Sequence, residues 1–259
     1  MHVTYDWKNF YQHMPYIDLN CDMGEGIGND AGIMPYISSA NIACGYHAGD
    51  EETIDKTIKL ALQYNVAIGA HPGFDDKKNF GRTEMPLSVD EVYDLVLKQI
   101  LLVEKITTAN NATLHHVKPH GALYNMAAKN LVMASAIAHA VKDADETLVL
   151  YGLNNSHLIT EARKLHLKTA NEVFADRNYN DDGSLVARSQ PNALIENDNE
   201  AINQVLNMLL HKRVLSVNLK VVPVNAETIC MHGDGIHAVS FAKKINETLR
   251  ANDITVKTV

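Results

Sequence analysis

Residues 16–23 alternate strictly between apolar and polar side chains. Side chains of a strand point alternately to its two faces, so Asp18, Asn20 and Asp22 share one face of the strand predicted here. Three polar side chains on one face are costly in a core unless they meet partners or line a cavity. The pattern fits either an edge strand with a solvated face or a strand facing a cavity. The glycine-rich turn that follows, with Glu25, favours the cavity.

The rest of the chain alternates between short apolar segments and longer segments whose apolar residues recur at helical spacing. Strands are predicted within 39–49, 66–73, 113–118, 148–152, 168–177 and 228–235. Helices are predicted at 53–64, 88–106, 126–141, 156–165, 196–210 and 236–250. About seven strand–helix units of this kind imply parallel strands, which right-handed crossovers close into a barrel.

The barrel prediction covers residues 16–259 as a single domain, because no internal repeat or interdomain linker interrupts the pattern. Residues 214–224 alternate like a strand but lie between a helix and the last predicted strand, and we interpret them as an added hairpin arm. Residues 1–15 lack an apolar signal segment and are interpreted as an N-terminal extension outside the fold.

Composition narrows the function classes. A formal net charge of −8, without a local cluster of Lys and Arg, argues against a nucleic-acid partner. No apolar run is long enough to cross a membrane. The three cysteines are odd in number and lack C-x-x-C spacing, which favours a reduced, cytoplasmic setting over a disulfide framework.

Side chains able to do chemistry stand at the ends of six predicted strands. In a parallel barrel the carboxyl ends of the strands share one mouth, so these side chains are expected to converge. A single histidine at a strand end is more often structural than functional, but recurrence at six strand ends indicates a site. The candidates are Asp18, Asp22, Glu25, His47, His71, His116, Lys118, His120, Asp176, Arg177, His232 and Asp234.

Two chemistries fit such a mouth. The first is metal-assisted hydrolysis, with Asp22, His47 and either His71 or His120 as ligands of a divalent ion that activates water. The second is general acid–base catalysis at a carbonyl, with Lys118 holding an anionic group together with Arg177. The spacing of these residues does not decide between the two.

Other catalytic classes find less support. The sequence has no G-x-S-x-G motif, and Cys21 faces away from Asp22, so nucleophilic serine or cysteine catalysis is disfavoured. It also has no G-x-x-x-x-G-K-[ST] motif, so spacing alone does not indicate nucleotide binding.

Six motifs, in order, resemble those of the LamB/YcsF family. They are D-L-N-C-D-M-G-E-G (18–26), S-A-N-I-A-C-G-Y-H-A-G-D (39–50), I-G-A-H-P-G-F (68–74), V-K-P-H-G-A-L-Y-N (117–125), E-V-F-A-D-R-N-Y (172–179) and I-C-M-H-G-D (229–234). The resemblance runs from about residue 16 to the end of the sequence. Two positions depart from it: Glu51 stands where relatives commonly have proline, and Thr83 where they have a second arginine, which leaves Arg82 alone.

The resemblance implies a distorted seven-stranded β/α barrel of the glycoside hydrolase/deacetylase type. It also implies the activity of the A subunit of the prokaryotic ATP-dependent 5-oxoprolinase, which opens the lactam of 5-oxo-L-proline to L-glutamate with partner subunits B and C. ATP hydrolysis would activate the amide by phosphorylating its carbonyl oxygen, a step that needs Mg²⁺ and cations beside the phosphates.

Residue roles follow from the motif positions. Asp22, His47, His71, His120 and Asp234 are the expected catalytic residues, and Asp22, His47 and His71 the expected metal ligands. Expected to bind substrate or phosphate are Asp18, Asn20, Glu25, Arg82, Lys118, Asn125, Asp176, Arg177 and Arg188.

Two alternatives stay open. One is a metal-dependent deacetylase or amidohydrolase that needs no nucleotide and holds a tightly bound Zn²⁺-like ion. The other is a substrate-binding subunit whose catalytic groups lie on a partner. The sequence also leaves open whether the chain forms a homo-oligomer.

Overall fold

The computed structural model describes residues 15–233, 235 and 237–259. The predicted N-terminal extension, apart from Pro15, and the candidate residue Asp234 lie outside the described residues.

A closed barrel of seven parallel strands forms the centre of a single domain. The described residues contain ten strands, of which β1 to β6 and β9 form the barrel. The ten are β1 (Tyr16–Met23), β2 (Ser39–Ala43), β3 (Ala67–His71), β4 (His116–Val117), β5 (Val149–Leu153), β6 (Lys168–Phe174), β7 (Arg213–Leu215), β8 (Val221–Pro223), β9 (Thr228–Met231) and β10 (Thr255–Val256). Strands β1 to β6 pair in sequence order, and β9 closes the barrel between β6 and β1. The predicted fold is confirmed.

Helices surround this barrel. They are α1 (Asp30–Ile33), α2 (Glu51–Tyr64), α3 (Val89–Ala109), α4 (Gly121–Lys129), α5 (Leu131–Ala144), α6 (His157–Lys164), α7 (Asp198–His211) and α8 (Ala238–Ala251). Local capping sets several starts: the Asp50 carboxylate accepts a hydrogen bond from Thr53 N, and Ser88 and Glu91 form the predicted capping box. No helix in the described part of the chain is both long enough and apolar enough to span a bilayer.

The predicted helix at 126–141 is two helices, α4 and α5, that meet at Asn130. Asn130 is in an extended conformation (φ −116°, ψ 106°), and its side-chain oxygen accepts hydrogen bonds from Val132 N and Met133 N. An asparagine that satisfies the first N–H groups of a helix acts as an N-cap, so the chain restarts there instead of continuing. Apolar residues continue at helical spacing through the junction, so the sequence pattern did not indicate the break.

The segment predicted to form a hairpin contains β7 and β8, which pair antiparallel outside the barrel. Strand β10 was not predicted, because its two residues are too few to show alternation. It pairs with the start of β1, and the residues after it close the amino-terminal end of the barrel. There Ser39 Oγ donates to Thr258 Oγ1 (3.1 Å), and His115 Nε2 donates to the Val259 carbonyl (3.2 Å).

The barrel interior is polar. On β1 the apolar residues pack outwards against the helices, whereas Asp18, Asn20 and Asp22 point inwards. Asn20 Nδ2 donates across the barrel to Glu172 Oε1 (3.0 Å) and Thr228 Oγ1 (2.6 Å). The alternation at 16–23 therefore reflects a strand that faces an enclosed polar interior, and the edge-strand interpretation is wrong.

Candidate active site

A cavity of about 790 Å³ opens at the carboxyl ends of the barrel strands. Its inner wall includes side chains from β1, β3, β6 and the turns after β4 and β9. Loop residues complete the outer wall. Among the lining residues are Asp22, Glu25, His71, Arg82, Lys118, His120, Tyr124, Asn125, Phe174, Arg177, Arg188 and His232. A concave site of this size with a few convergent polar groups is typical of small-molecule binding.

Lys118 is the central cation of the cavity floor. Its Nζ lies 2.8 Å from Asp22 Oδ1, 3.0 Å from Glu172 Oε1, 3.0 Å from Cys230 Sγ and 3.3 Å from Asn20 Oδ1. Four acceptors therefore surround its three N–H groups. Burial alone would lower the pKa of Lys118, but its charge interaction with Asp22 offsets this and the pKa is well above the usual range.

Asp22 is correspondingly held as a carboxylate. Besides Lys118, its Oδ1 accepts from Asn41 Nδ2 (2.8 Å), and its Oδ2 lies 3.3 Å from His71 Nε2. Burial would raise the pKa of Asp22, but the charges of His71 and Lys118 outweigh this effect and hold the pKa well below its ordinary value. Asp22 is thus ionised at neutral pH and acts as an acceptor in the cavity floor.

Three histidines from successive strand ends gather beside Asp22. His47 follows β2, His71 ends β3 and His120 follows β4. The rings of His47 and His120 are stacked, with centroids 3.8 Å apart, and His71 meets His120 edge-on at 4.8 Å. Glu25, from the turn after β1, places Oε1 3.6 Å from His47 Nε2 and 3.6 Å from His120 Nδ1.

Burial dominates the titration of His47 and His120. It lowers the pKa of His47 to about 3, and it lowers the pKa of His120 well below the usual value, with the neighbouring His47 and His71 adding to the effect. At neutral pH these two rings are therefore uncharged, and uncharged imidazole is the form that ligates metals.

Potential ligand atoms form two groups among the described residues. One consists of Glu25, His47, His71 and His120, and the other of Asp22, Cys230 and His232. In the second group a cation already contacts two of the three residues: Lys118 Nζ lies within 3.0 Å of both Asp22 and Cys230. The first group is therefore the candidate metal centre.

Asp176 and His232 form a dyad beside Asp22, because potential ligand atoms of Asp22, Cys230 and His232 lie within 4.8 Å of one another. His232 Nδ1 lies 2.9 Å from both carboxylate oxygens of Asp176, and His232 N donates to Asp176 Oδ2 (3.2 Å). Burial would raise the pKa of Asp176, but the interaction with His232 lowers it overall. An ionised carboxylate on Nδ1 fixes the ring and leaves Nε2 to exchange a proton in the cavity.

Two residues expected to bind substrate lie inside the barrel and not at the cavity. Asp18 accepts hydrogen bonds from Ser38, Ser39 and Thr228, at 2.6–2.7 Å, and burial raises its pKa. Asn20 lies deeper than Asp22, where it bridges strands. Side chains two residues apart on one strand face the same way, but only the one nearest the carboxyl end reaches the mouth.

The cations expected to bind phosphate divide into two kinds. Lys118 is compensated by carboxylates, and Arg177 donates from Nε to the Ala193 carbonyl and from Nη2 to the Val186 carbonyl. Both side chains are therefore engaged in contacts within the protein. These contacts do not fit the phosphate-binding role expected of the two residues. Arg82 and Arg188 line the outer cavity, and so does Asn125, although its Nδ2 donates to Gly121 O.

Sequence reasoning missed Glu172 and Cys230, which contact Lys118 from β6 and β9. His116 was expected at the mouth, but it lies within the barrel, where its Nε2 donates to Asn41 Oδ1 (2.9 Å). His232 was recognised at the mouth but given no role. The sequence signal that could have identified Glu172 was the two-residue period of side chains along a strand. That period places Glu172 on the same face of β6 as Phe174, which lines the cavity.

Known proteins resemble this chain in sequence and in fold. Residues 17–259 match the LamB/YcsF family. The chain is 52% identical over 249 residues to the A subunit of 5-oxoprolinase from Tolumonas auensis, covering 94% of this chain and 99% of that protein. It is similar in structure to a lactam utilization protein of Thermus thermophilus, with a TM-score of 0.87, 40% identity and coverage of 94% and 100%.

A more distant similarity concerns the fold alone. A peptidoglycan deacetylase of Bacillus subtilis superposes with a TM-score of 0.51 at 14% identity, over 95% of this chain and 89% of that one. The barrel is thus of the deacetylase type, as expected. The match over nearly the whole chain, together with the identity to curated relatives, shows that this protein is a member of the LamB/YcsF family.

Proposed function

We propose that this chain is the A subunit of a 5-oxoprolinase and performs the hydrolytic step, which opens the lactam of 5-oxo-L-proline to L-glutamate. The names of its relatives support the substrate class. The observation that carries the proposal is the Asp176–His232 dyad, which lies beside the Asp22–Lys118 pair and presents His232 to the same cavity. This arrangement offers a base that can take a proton from water and polar groups that can contact a bound amide.

The dyad suits general base catalysis. His232 Nε2 would accept a proton from water as the water oxygen attacks the lactam carbonyl carbon, and Asp176 would stabilise the resulting imidazolium. The carbon–nitrogen bond then breaks, and the ring nitrogen leaves as an amine after taking the proton back from the His232 imidazolium. If the carbonyl oxygen carries a phosphoryl group, this step leaves an acyl phosphate, and a second water hydrolyses it to the new carboxylate and inorganic phosphate.

The outer wall suits an anionic substrate. The carboxylate of 5-oxoproline needs a cationic partner, and Arg82 and Arg188 are the guanidinium groups of the outer wall that we assign to it. Asn125, on the same wall, is assigned to the amide of the lactam.

We place the ATP-dependent step on partner subunits B and C. An unstrained amide is a poor electrophile, so transfer of a phosphoryl group to its oxygen, with Mg²⁺, would prepare it for attack by water. Lys118 and Arg177, two of the cations expected at phosphates, are occupied inside this chain. The three buried thiols fit the reduced, cytoplasmic setting that this proposal includes.

A second candidate is a metal-dependent amide hydrolase that needs no nucleotide. The cluster of Glu25, His47, His71 and His120 favours it, because its ligand types are those of hydrolytic metal sites. The two candidates differ in their requirement for ATP and in their sensitivity to a chelator.

The test is glutamate formation from 5-oxoproline by the full chain, alone and with its partner subunits, with and without ATP. The proposal expects turnover only with ATP and the partners, and loss of glutamate formation with Asp176→Asn or His232→Gln. Wild-type turnover by both variants would place the catalytic groups on a partner and overturn the assignment. Amide hydrolysis that needs neither ATP nor partners and that a chelator abolishes would establish the second candidate.

A further inference from the structure

The ends of four successive barrel strands deliver four ligand-type side chains to one point. Glu25 follows β1, His47 follows β2, His71 ends β3 and His120 follows β4. One potential ligand atom from each lies within 4.8 Å of all the others. From the motif positions, Asp22 and not Glu25 was expected to complete this set.

The backbone fixes the tautomers of two of the rings. His71 Nδ1 lies 2.6 Å from the Lys118 carbonyl oxygen, and His120 Nε2 lies 2.9 Å from the Phe80 carbonyl oxygen. A carbonyl oxygen only accepts, so both of these nitrogens carry hydrogen and donate. Histidines that ligate metals characteristically donate their other N–H to a carbonyl or carboxylate in this way.

The remaining nitrogens face each other. His71 Nε2 and His120 Nδ1 are 2.9 Å apart, and in the deprotonated form that metal ligation requires each presents a lone pair. Carboxylate oxygens approach from two sides: Asp22 Oδ2 is 3.3 Å from His71 Nε2, and Glu25 Oε1 is 3.6 Å from His120 Nδ1. Facing lone pairs flanked by anions are stabilised by a cation placed among them.

His47 supplies independent support. The residue is only 1% exposed, yet neither ring nitrogen has a hydrogen-bond partner among the described residues. A buried polar group without a partner destabilises a protein, and a bound ion is one arrangement that would satisfy it. Glycine backbones enclose the ring: a Cβ at Gly73 would lie 2.7 Å from His47 Nδ1, and one at Gly81 would lie 2.8 Å from His47 Cβ.

We propose that Glu25, His47, His71 and His120 bind one divalent transition-metal ion of the zinc type. Three imidazoles and one carboxylate are an established ligand set for such ions. Donors bound tetrahedrally at about 2.0–2.1 Å stand roughly 3.4 Å apart, close to the observed separations of 2.9 Å and 3.6 Å.

Glu25 replaces Asp22 as the carboxylate ligand for an electrostatic reason. Asp22 already accepts hydrogen bonds from Lys118 and Asn41, whereas Glu25 approaches two of the three imidazoles. An ion at this point would border the cavity beside Asp22 and supply Lewis-acid polarisation of a bound carbonyl. The inference concerns binding of the ion alone, and it holds whichever amide the chain hydrolyses.

The test uses the full chain, stripped with a chelator and titrated with Co²⁺ without substrate or partner subunits. We expect one equivalent to bind with the strong visible absorption of a four-coordinate site, and Zn²⁺ to displace it. Glu25→Gln and His47→Ala should weaken binding by more than about 100-fold, because loss of a ligand exceeds the effect of losing a residue that only orients one. His139→Ala, at an exposed position on α5, is the matched control and should bind like wild type.

Thermal unfolding separates site loss from misfolding. Zn²⁺ should raise the Tm of the wild type and of His139→Ala, because an ion that binds only the folded state stabilises it. At the same Zn²⁺ concentration it should raise the Tm of Glu25→Gln, a variant of nearly equal volume, much less. Failure of the wild type to bind Co²⁺, or unchanged affinity in both Glu25→Gln and His47→Ala, would overturn the proposal.

Discussion

Lys118 Nζ lies 2.8 Å from Asp22 Oδ1 at the floor of the cavity. Glu172 Oε1 is 3.0 Å from the same ammonium, so one cation compensates two carboxylates in a buried setting. The cluster therefore carries a net negative charge when both acids are ionised. Its stability depends on Lys118 more than on either acid.

Replacing Lys118 with methionine should destabilise the fold strongly. The variant keeps most of the side-chain volume but leaves Asp22 and Glu172 without their cation, and an uncompensated buried charge costs about 3–5 kcal/mol. Urea unfolding of the variant and the wild type measures the difference in the free energy of unfolding.

Two further variants define the origin of the effect. Lys118→Met/Glu172→Gln removes one of the stranded charges and should recover part of the lost stability. Lys59→Met breaks an exposed ion pair with Asp55 on α2 and should cost about 0–1 kcal/mol. A loss for Lys118→Met no larger than that for Lys59→Met would contradict the assigned role.

Asp176→Asn should reduce turnover in the assay with partner subunits without unfolding the protein. An asparagine can keep a contact with His232 Nδ1 but cannot stabilise an imidazolium, and positioned proton transfer contributes about 10²- to 10⁴-fold to rates. We expect a fall of that order in kcat with little change in KM. Steady-state kinetics with the Tm of the same preparation measure both quantities.

The control for this prediction is Asn125→Ala, which also changes a side chain that lines the cavity. Because Asn125 is assigned to substrate, its loss should raise KM more than it lowers kcat. Equal effects of the two variants on KM, with kcat retained in Asp176→Asn, would show that the dyad does not transfer protons.

The fold was predictable because the strand pattern is local. Alternation at 16–23 marks β1, and polar residues such as His71 and Lys118 mark the strand ends, so the barrel and its mouth follow from the order of the motifs. Asn130 shows the limit of that approach. An asparagine between two apolar helical segments is compatible with one helix or two, and only its backbone conformation decides.

The side-chain contacts between different strands of the barrel could not be predicted. Asp18, Asn20 and Asp22 are equivalent in the sequence pattern, but the depth of each in the barrel separates two structural residues from one at the cavity. Nothing in the sequence distinguished Glu172 from the other acidic residues, because its role depends on a contact with Lys118, which follows another strand. Such contacts depend on register and side-chain direction, which a single sequence does not specify.

Gly69 and His116 should be strongly coupled. Gly69 lies in β3 with an ordinary backbone conformation, but a Cβ there would collide with the His116 ring. Gly69→Ala should therefore cost about 1–3 kcal/mol through overpacking. In a His116→Ala background the ring is absent, and the same substitution should cost much less. Urea unfolding of the four proteins gives the coupling energy, and additive effects would disprove the contact.

His116 should also make the protein less stable in acid. Burial lowers the pKa of His116 well below the ordinary 6.5, and the neighbouring His115 lowers it further. Below pH 6.5 the unfolded chain binds a proton at this position and the folded chain does not, so stability falls as the pH falls towards the folded pKa. This residue should contribute a loss of about 1.4 kcal/mol between pH 8 and pH 5.5.

The measurement compares the wild type with His116→Gln by urea unfolding at pH 8 and pH 5.5. Glutamine cannot titrate, so the stability advantage of the wild type should shrink by about 1.4 kcal/mol at the lower pH. Ile58→Val, a core substitution on α2 without a titrating group, should cost about 0.5–1.5 kcal/mol at both values. If the difference between wild type and His116→Gln stays constant with pH, the buried ring accepts a proton as readily as it does in the unfolded chain. Burial inside the barrel would then not be what lowers the pKa of His116.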